Sequence, residues 1–165
     1  MSDFQPVVTL SALKLDAWSK GSLYQGDDIS FGAMLGLRNL GASYNVVPPG
    51  KSSCPFHVHH VEDEMFVILE GEADYRFGDA TYKVKAGDVL GAPAGDASFA
   101  HQLINTGTGP LRYLGISTNS PVEVVEYPDS GKFLVTSRRP GDKGRLRFIG
   151  RAETTRDYWE GEPGA

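Results

Sequence analysis

The chain has 165 residues and a mass of 17.9 kDa, which fits one domain and leaves no room for a second catalytic domain. Hydrophobic residues make up 40% and charged residues 22%, so wholesale disorder is excluded and a packed core is expected. The 20 glycines and 10 prolines interrupt long helices and suit short strands joined by tight turns. Composition therefore favours an all-β protein.

Charge and hydropathy exclude several classes of partner. The net charge is -5 and the pI is near 5.3, whereas nucleic-acid binding relies on clustered Lys and Arg, so no nucleic-acid partner is expected. The longest apolar run, Met65–Leu69, is far shorter than the roughly 20 residues that cross a bilayer, so no membrane span is expected. Met1-Ser2-Asp3 lacks the features of a secretory signal and Cys54 is the sole cysteine, so we expect a cytoplasmic setting.

The sequence predicts one barrel domain with two extensions. Residues 1–41 form an N-terminal extension of loops and outer strands, residues 42–118 form the barrel core, and residues 119–165 form a C-terminal extension. In the core, runs rich in Val, Ile, Phe, Tyr and Leu are bounded by Gly, Pro or Asp. The strands predicted there are Tyr44–Val47, Pro55–His59, Met65–Leu69, Ala73–Phe77, Thr81–Val84, Val89–Ala92, Phe99–Asn105 and Leu111–Ser117.

Short turns separate these strands. Gly78-Asp79 is a hairpin turn, and the segment Lys85–Asp88 is another. No stretch keeps apolar residues at helical spacing for long enough to form a crossover helix, so the strands are expected to be antiparallel. Closely spaced antiparallel strands predict a barrel or a sandwich.

The C-terminal extension begins with two further predicted strands, Val122–Glu126 and Phe133–Ser137, joined by a turn. After Ser137 the chain mixes Arg and Lys with Asp and Glu. Mixed charge of this kind is typical of a tail that is solvated or packed on a partner, and it disfavours an anion-binding patch.

The histidines fall at two places, with His57, His59 and His60 together and His101 alone. Side chains at i and i+2 of a strand project from one face about 6.6–6.8 Å apart, so His57 and His59 can converge on one ion. The following turn brings Glu64 beside this pair, and His101 can complete the set from a facing strand. Imidazoles with one carboxylate suit Zn, Fe, Mn, Ni, Co or Cu better than Mg or Ca. The alternative, a solvated histidine-rich turn, would need other partners for any buried ring.

Two motifs in this region carry a family resemblance. Gly50-x6-His57-x-His59-x4-Glu64-x6-Gly71 is similar to the first motif of the cupins, and Gly87-x5-Pro93-x-Gly95-x5-His101-x3-Asn105 is similar to the second. The chain has three residues more than the family pattern between Gly95 and His101. We expect this insertion to bulge the loop without changing the face on which His101 lies. The later segment Tyr127–Lys132 is similar to one in a stand-alone subgroup of uncharacterised cupins.

The resemblance implies the fold, the ligand set and the assembly. Cupins are single antiparallel double-stranded β-helices, also called jelly rolls, that bind one divalent transition metal ion, here Zn, Fe, Mn or Ni. By this resemblance the metal ligands are His57, His59, Glu64 and His101. A homodimer is the common state of the family, and it is expected here.

Alternation along the strands predicts a mainly apolar wall around the metal, because residues two and four positions from an inward ligand share its face. The predicted substrate-pocket residues are Phe66, Ile68, Phe99 and Leu103. Once the ligands are assigned, few side chains remain as a general base, and His60 is the best of this set.

The sequence supports two hypotheses about function. The first is a metal-dependent enzyme acting on a small organic molecule, with dioxygenase chemistry at iron or isomerase or cyclase chemistry at a Lewis-acidic ion. The second is a non-catalytic small-molecule-binding or sensor module. Residues 1–40 show no helix pair for reading DNA, so a regulator would need a separate partner. We prefer the enzyme.

Overall fold

The computed structural model describes residues 4–138 and 145–164. Residues 1–3 and 139–144, which contribute to the predictions about targeting and the charged tail, lie outside these ranges. The described chain folds into strands and three short 3₁₀ helices, at Leu10–Ala12, Ala97–Phe99 and Ala152–Thr154, so the all-β prediction is confirmed. None of these helices has the length and apolar character needed to cross a membrane.

The strands are numbered in chain order. They are β1 (Asp16–Lys20), β2 (Tyr24–Ser30), β3 (Leu40–Val47), β4 (Val58–His59), β5 (Glu64–Glu70), β6 (Glu72–Phe77), β7 (Ala80–Lys85), β8 (Val89–Ala92), β9 (His101–Asn105), β10 (Leu111–Thr118), β11 (Val122–Tyr127), β12 (Lys132–Arg138) and β13 (Arg145–Arg151). The ladders between them are antiparallel, as the short turns predict.

The strands form two layers that enclose the core. A six-stranded sheet has the order β1-β2-β3-β10-β5-β8, a four-stranded sheet the order β13-β12-β11-β4, and a three-stranded sheet the order β7-β6-β9. A backbone bridge between His57 and His101 joins the second and third sheets just before β4. The main core cluster takes residues from the six-stranded sheet and from all three strands of the third sheet, so it lies between the layers.

Strand β5 shows how alternation places the core. Ile68 is 1% exposed, whereas the next residue, Leu69, is 42% exposed. The strand is followed by Gly71, whose φ of +89° makes the sharp turn into β6. A Cβ atom at this position would lie 2.7 Å from the carbonyl oxygen of Pro110, so the corner requires glycine.

The structure corrects the starts of three predicted strands by more than one residue. The strand predicted at Tyr44–Val47 begins at Leu40. The one predicted at Pro55–His59 begins at Val58, with His57 in an isolated bridge.

The strand predicted at Phe99–Asn105 begins at His101, because Ala97–Phe99 form a 3₁₀ helix. The carboxylate of Asp96 caps this helix by accepting from the backbone N–H of Ser98 at 2.9 Å. The inserted residues therefore fold into a compact turn ahead of the strand, which agrees with the predicted bulge.

Both extensions add strands to the barrel. β1 and β2 extend the six-stranded sheet, where outer strands are predicted. The charged tail includes an unpredicted edge strand, because Arg145–Arg151 pairs with β12. Leu146, Phe148 and Ile149 in this strand are nevertheless exposed, as expected for a solvated or partner-packed tail. Leu146 and Phe148 alternate there with arginines, and this period-two signal of a strand is obscured in the sequence by the high charge.

Replacing Ile68 with alanine is expected to lower the free energy of unfolding by about 2–5 kcal/mol, because the substitution leaves a cavity in the core. Leu69→Ala, one position along the same strand, is the matched control and should change it by less than about 0.5 kcal/mol. Urea unfolding measures both values. Equal losses in the two variants would contradict this assignment of faces.

Candidate metal centre

Backbone pairing places the predicted ligands on neighbouring strands. The N–H of His57 donates to the carbonyl oxygen of His101 at 3.1 Å, and the N–H of His101 donates back to His57 at 2.7 Å. His59 lies in β4, which pairs with β11 at Val125. Glu64 is the first residue of β5, directly after the turn that follows β4. The residues named by the two sequence motifs are thus brought together by main-chain hydrogen bonds.

Their side chains converge on one carboxylate oxygen. Oε2 of Glu64 lies 3.0 Å from Nε2 of His101, 3.3 Å from Nε2 of His59 and 3.6 Å from Nε2 of His57. Two ligands bound about 2.1 Å from one ion lie roughly 3.0–3.4 Å apart at octahedral or tetrahedral angles. Ligand atoms of His57, His59 and Glu64 all lie within 4.8 Å of one another, so this group could hold a metal ion.

The other ring nitrogens of two histidines have acceptors that favour this use. Nδ1 of His57 lies 2.8 Å from the carbonyl oxygen of Pro55, and Nδ1 of His101 lies 3.3 Å from that of Phe99. A proton on Nδ1 satisfies each carbonyl and leaves the lone pair of Nε2 facing the convergence point. The donor set therefore fits a transition metal ion.

Nδ1 of His59 is a buried side-chain atom with no hydrogen-bond partner, and it lies 3.8 Å from Oε2 of Glu123. Glu123 is itself 3% exposed. Its carboxylate accepts from the backbone N–H groups of His60 at 3.1 Å, Val61 at 3.2 Å and Glu62 at 2.7 Å. Glu123 thereby fixes the turn that joins β4 to β5.

Neither sequence motif includes Glu123, although its position on a strand indicates that it is structurally important. In β11 it shares a strand face with Val125, which is buried. An acidic residue on the apolar face of a strand needs strong partners, and here backbone N–H groups supply them. Glu62 likewise uses its carboxylate locally, because Oε1 accepts from the N–H of Ser120 at 2.6 Å. Ligand atoms of His59, Glu62 and Glu123 also lie within 4.8 Å of one another, but their carboxylates already serve the turn.

The electrostatics of the centre differ among its members. Burial raises the pKa of Glu64, but hydrogen bonds from His101, His57 and His59 outweigh burial and hold that pKa well below its usual range. Burial is also the main cause that lowers the pKa of His101. Burial lowers the pKa of His57, yet its contacts with Cys54 and Glu64 prevail and raise it to about 11. Without a metal, one imidazolium therefore lies beside one carboxylate.

A cavity of about 320 Å³ opens beside this centre. Its wall includes His57, Glu64 and Phe66, together with Trp18 from β1. Ser53 and Cys54 line it from the loop before β4, and the other polar side chains come from β2, β3 and β10, which are neighbours in the six-stranded sheet. They are Asp28, Ser30, Ser43, Asn45, Tyr113 and Ser117. The wall is thus more polar than alternation along β5 and β9 predicts.

The predicted pocket residues separate into three environments. Phe66 lines the cavity, whereas Ile68 and Leu103 belong to the closed core. Phe99 lies in the 3₁₀ helix, where its ring packs edge-on against that of Phe77 with centroids 6.1 Å apart. Alternation finds the correct face of β5, but it does not show which part of that face is sealed by the opposite layer.

His60, the predicted general base, lies outside the cavity wall. Its side chain is 37% exposed, and Nε2 lies 3.4 Å from Oε2 of Glu126. As the residue after His59 it projects to the other side of the chain, so it cannot exchange a proton with a molecule in the cavity. The carboxylate that does line the cavity, besides Glu64, is Asp28, and it comes from the N-terminal extension.

Comparison with known proteins agrees with this architecture. A crystal structure of a putative sugar phosphate isomerase from Acidithiobacillus ferrooxidans is 27% identical, with a TM-score of 0.74, and the alignment covers 92% of this chain and 95% of that one. A sugar phosphate isomerase of the cupin superfamily from Silicibacter pomeroyi, 21% identical with a TM-score of 0.76, shares the fold over 91% of this chain and 95% of that one.

An oxalate-binding protein from Thermotoga maritima is 36% identical over 70 residues, which are 42% of this chain. The chain spans about half of that relative, 54% of its length. An antiparallel barrel with a cluster of histidines and a glutamate on its inner face is typical of small metal-binding β-barrel proteins. Residues 44–117 match the family described as the cupin domain, so this part of the chain is similar to cupin domains. Its fold is the cupin barrel that the two motifs predict.

Loading the metal-free protein with Zn²⁺ near neutral pH is expected to release at least one proton, because the raised pKa keeps His57 protonated. A raised pKa means that the proton on His57 competes with the metal until the pH approaches about 11. The apparent affinity should therefore rise about tenfold per pH unit above neutrality. Calorimetry in two buffers of different ionisation enthalpy counts the proton, and a count of zero would contradict this charge state.

Replacing Glu123 with alanine is expected to lower the free energy of unfolding by about 2–5 kcal/mol, because several backbone N–H groups of the β4–β5 turn lose their charged, buried acceptor. Glu126→Ala removes the same side chain from the same strand, where it makes only a partly exposed contact with His60. That control should cost less than about 1 kcal/mol. Urea unfolding near neutral pH compares them, and similar losses would show that Glu123 does not hold the turn.

Proposed function

We propose that this protein is a metal-dependent enzyme that isomerises a small organic molecule by moving a proton within the cavity. The observation that carries the proposal is the convergence of three imidazole nitrogens on one oxygen of Glu64, beside a cavity that contains a second carboxylate, Asp28. The similarity to a protein described as a putative sugar phosphate isomerase supports this choice of reaction.

In this proposal His57, His59, Glu64 and His101 hold one divalent transition metal ion, such as Zn, Fe, Mn or Ni. Neutral imidazoles with one carboxylate favour such ions over Ca or Mg. A bound ion supplies Lewis acidity that polarises a carbonyl or hydroxyl oxygen of the substrate. Because Glu64 and the histidines are partly or largely buried, an ion held by them would be shielded from much of the bulk water.

Asp28 is the proposed group that accepts and returns the proton. The indole N–H of Trp18 donates to Oδ1 of Asp28 at 2.6 Å, which fixes the orientation of the carboxylate on the cavity wall. The second oxygen can then accept a proton from a carbon or hydroxyl of the substrate. The pKa of Tyr113, another wall residue, is raised by burial, so its phenol keeps its proton, and its hydroxyl shares a hydrogen bond with Oγ of Ser53 on the same wall.

The first test is metal content. We expect His57→Ala and His101→Ala to weaken Zn²⁺ binding by about 100-fold or more, since each removes a ligand. His60→Ala is the matched control, because His60 belongs to the same histidine cluster but lies outside the cavity. Metal analysis of the purified proteins, followed by Zn²⁺ titration, gives the result. Equal metal content in all three variants would overturn the proposed centre.

The second test addresses the reaction. Incubation of the metal-loaded protein with a panel of α-hydroxy aldehydes and ketones in deuterated water should incorporate deuterium next to the carbonyl, detected by NMR. Asp28→Asn should slow this exchange by about 10²–10⁴-fold while the metal is retained. Asp27→Asn, an exposed neighbour, is the matched control and should leave it unchanged.

Two outcomes would replace isomerisation with another function. Metal-dependent oxygen uptake on the same panel would indicate a dioxygenase. Binding of panel members without any exchange or uptake would indicate a sensor or binding module. The homodimer and the cytoplasmic setting expected from the sequence stay predictions.

A further inference from the structure

We infer that the ligand of this cavity is a neutral, hydroxyl-rich small molecule, of the class of free sugars and polyols, and that phosphorylated forms are disfavoured. This inference rests on the proposed function, because it takes the cavity beside the metal centre as the substrate site. It is carried by the hydrogen-bonding groups of the wall, by the absence of lysine and arginine among the described lining residues, and by the glycine on the cavity floor.

The wall presents paired hydrogen-bonding groups from three adjacent strands. Asp28 on β2 pairs with Asn45 on β3, which pairs in turn with Tyr113 on β10. One step along the sheet face, Ser30 pairs with Ser43. Neighbouring strands lie about 4.8 Å apart, so these side chains can reach several oxygens of one small molecule.

These groups combine donors and acceptors, as hydroxyl recognition requires. The amide of Asn45 donates to Oγ of Ser43 at 2.9 Å, and its carbonyl oxygen can accept from a ligand hydroxyl. The carboxylate of Asp28 is a further acceptor, and the hydrogen-bonded hydroxyls of Tyr113 and Ser53 add a pair that can both donate and accept. Each sugar hydroxyl both donates and accepts, so a mixed wall of this kind satisfies it better than an apolar wall would.

Apart from the metal centre and its proposed ligand His57, the described part of the wall has no cationic side chain that could bind a phosphoryl group. Among the described residues that line the cavity there is no lysine or arginine. The arginine of β10, Arg112, is used elsewhere, since its guanidinium contacts Glu70 at 2.9 Å and the hydroxyl of Tyr44 at 2.9 Å. Phosphate groups are usually bound by Arg, Lys or the N–H groups of a helix N-terminus. Here a phosphoryl group lying away from the metal centre would find no such partner among the described lining residues, and the charged side chain on that part of the wall is the carboxylate of Asp28.

The floor of the cavity is kept open by Gly115. A Cβ atom at this position would lie 2.8 Å from Oγ of Ser43, 3.7 Å from Nδ2 of Asn45 and 3.8 Å from Cδ1 of Phe66. The space over Gly115 is therefore bounded by a hydroxyl, an amide and an aromatic ring. Phe66 and Trp18 supply the apolar surface on which the C–H face of a sugar can pack.

The test is calorimetry on the full-length, metal-loaded protein with matched pairs of probes. The pairs are D-ribose with D-ribose 5-phosphate and D-fructose with D-fructose 6-phosphate, and inorganic phosphate is titrated alone. We expect at least one neutral sugar to bind, with its phosphorylated partner weaker by about tenfold or more. Tighter binding of a phosphorylated partner, or no binding of either neutral sugar, would overturn the inference.

Two substitutions locate the binding on the wall. Asn45→Leu removes the amide at similar volume, and Gly115→Val fills the floor, so each should weaken binding of the neutral sugar by about tenfold or more. Arg112→Gln, on the opposite face of β10, is the control and should change neither member of a pair. Unchanged sugar affinity in both wall variants would overturn the inference.

Metal content measured on the same samples separates the two proposals. If the wild-type protein holds no metal, the proposed function fails. If it holds metal and binds neither neutral sugar, the proposed centre stands and only the ligand class is wrong. A Gly115→Val protein that fails to fold is replaced by Asn45→Leu, whose outcome decides alone.

Discussion

The reciprocal backbone hydrogen bonds between His57 and His101 are the contact on which the site and the barrel both depend. They join the four-stranded and three-stranded sheets into one layer. They also hold two imidazole rings with centroids 4.6 Å apart, and both rings face the same oxygen of Glu64. Main-chain hydrogen bonds are insensitive to the side chain, so the pairing sets the separation of the histidines before any ligand binds. The same pair of backbone hydrogen bonds thus joins the two sheets and positions two of the proposed metal ligands.

Two carboxylates on either side of the β4–β5 turn complete this arrangement in different ways. Glu64 faces three imidazole nitrogens, whereas Glu123 faces backbone N–H groups. The first can exchange its partners for a metal ion, because imidazole and carboxylate are both ligands. The carboxylate of Glu123 cannot leave its position without depriving backbone N–H groups of the turn of their acceptor. The centre around Glu64 can therefore change its charge by binding an ion, whereas the turn beside it keeps its hydrogen bonds to Glu123.

Much of this arrangement follows from local sequence. The His-x-His spacing and the nearby Glu64 predict shared faces and a short turn, since both follow from strand alternation within a few residues. Asp28 could not be found in this way, because its place on the wall depends on the pairing of β2 with β3, and register between distant strands is not written in local periodicity. The prediction that Phe99 lines the pocket from a strand is wrong for a local reason, because Asp96 caps a 3₁₀ turn that contains Phe99. Ile68 was placed on the correct face, but its depth depends on the opposite layer.

Gly115 has a consequence for how such a barrel can diversify. A Cβ atom at Gly115 would meet Ser43, Asn45 and Phe66, none of which belongs to the proposed metal-ligand set. One added methyl group would therefore change the shape of the cavity floor on which a ligand would lie. Metal binding and ligand specificity would then depend on different residues of the chain. A single substitution at this glycine could change which ligand binds while leaving the proposed metal ligands unchanged. The position corresponding to Gly115 is therefore the first to compare among relatives that bind different ligands.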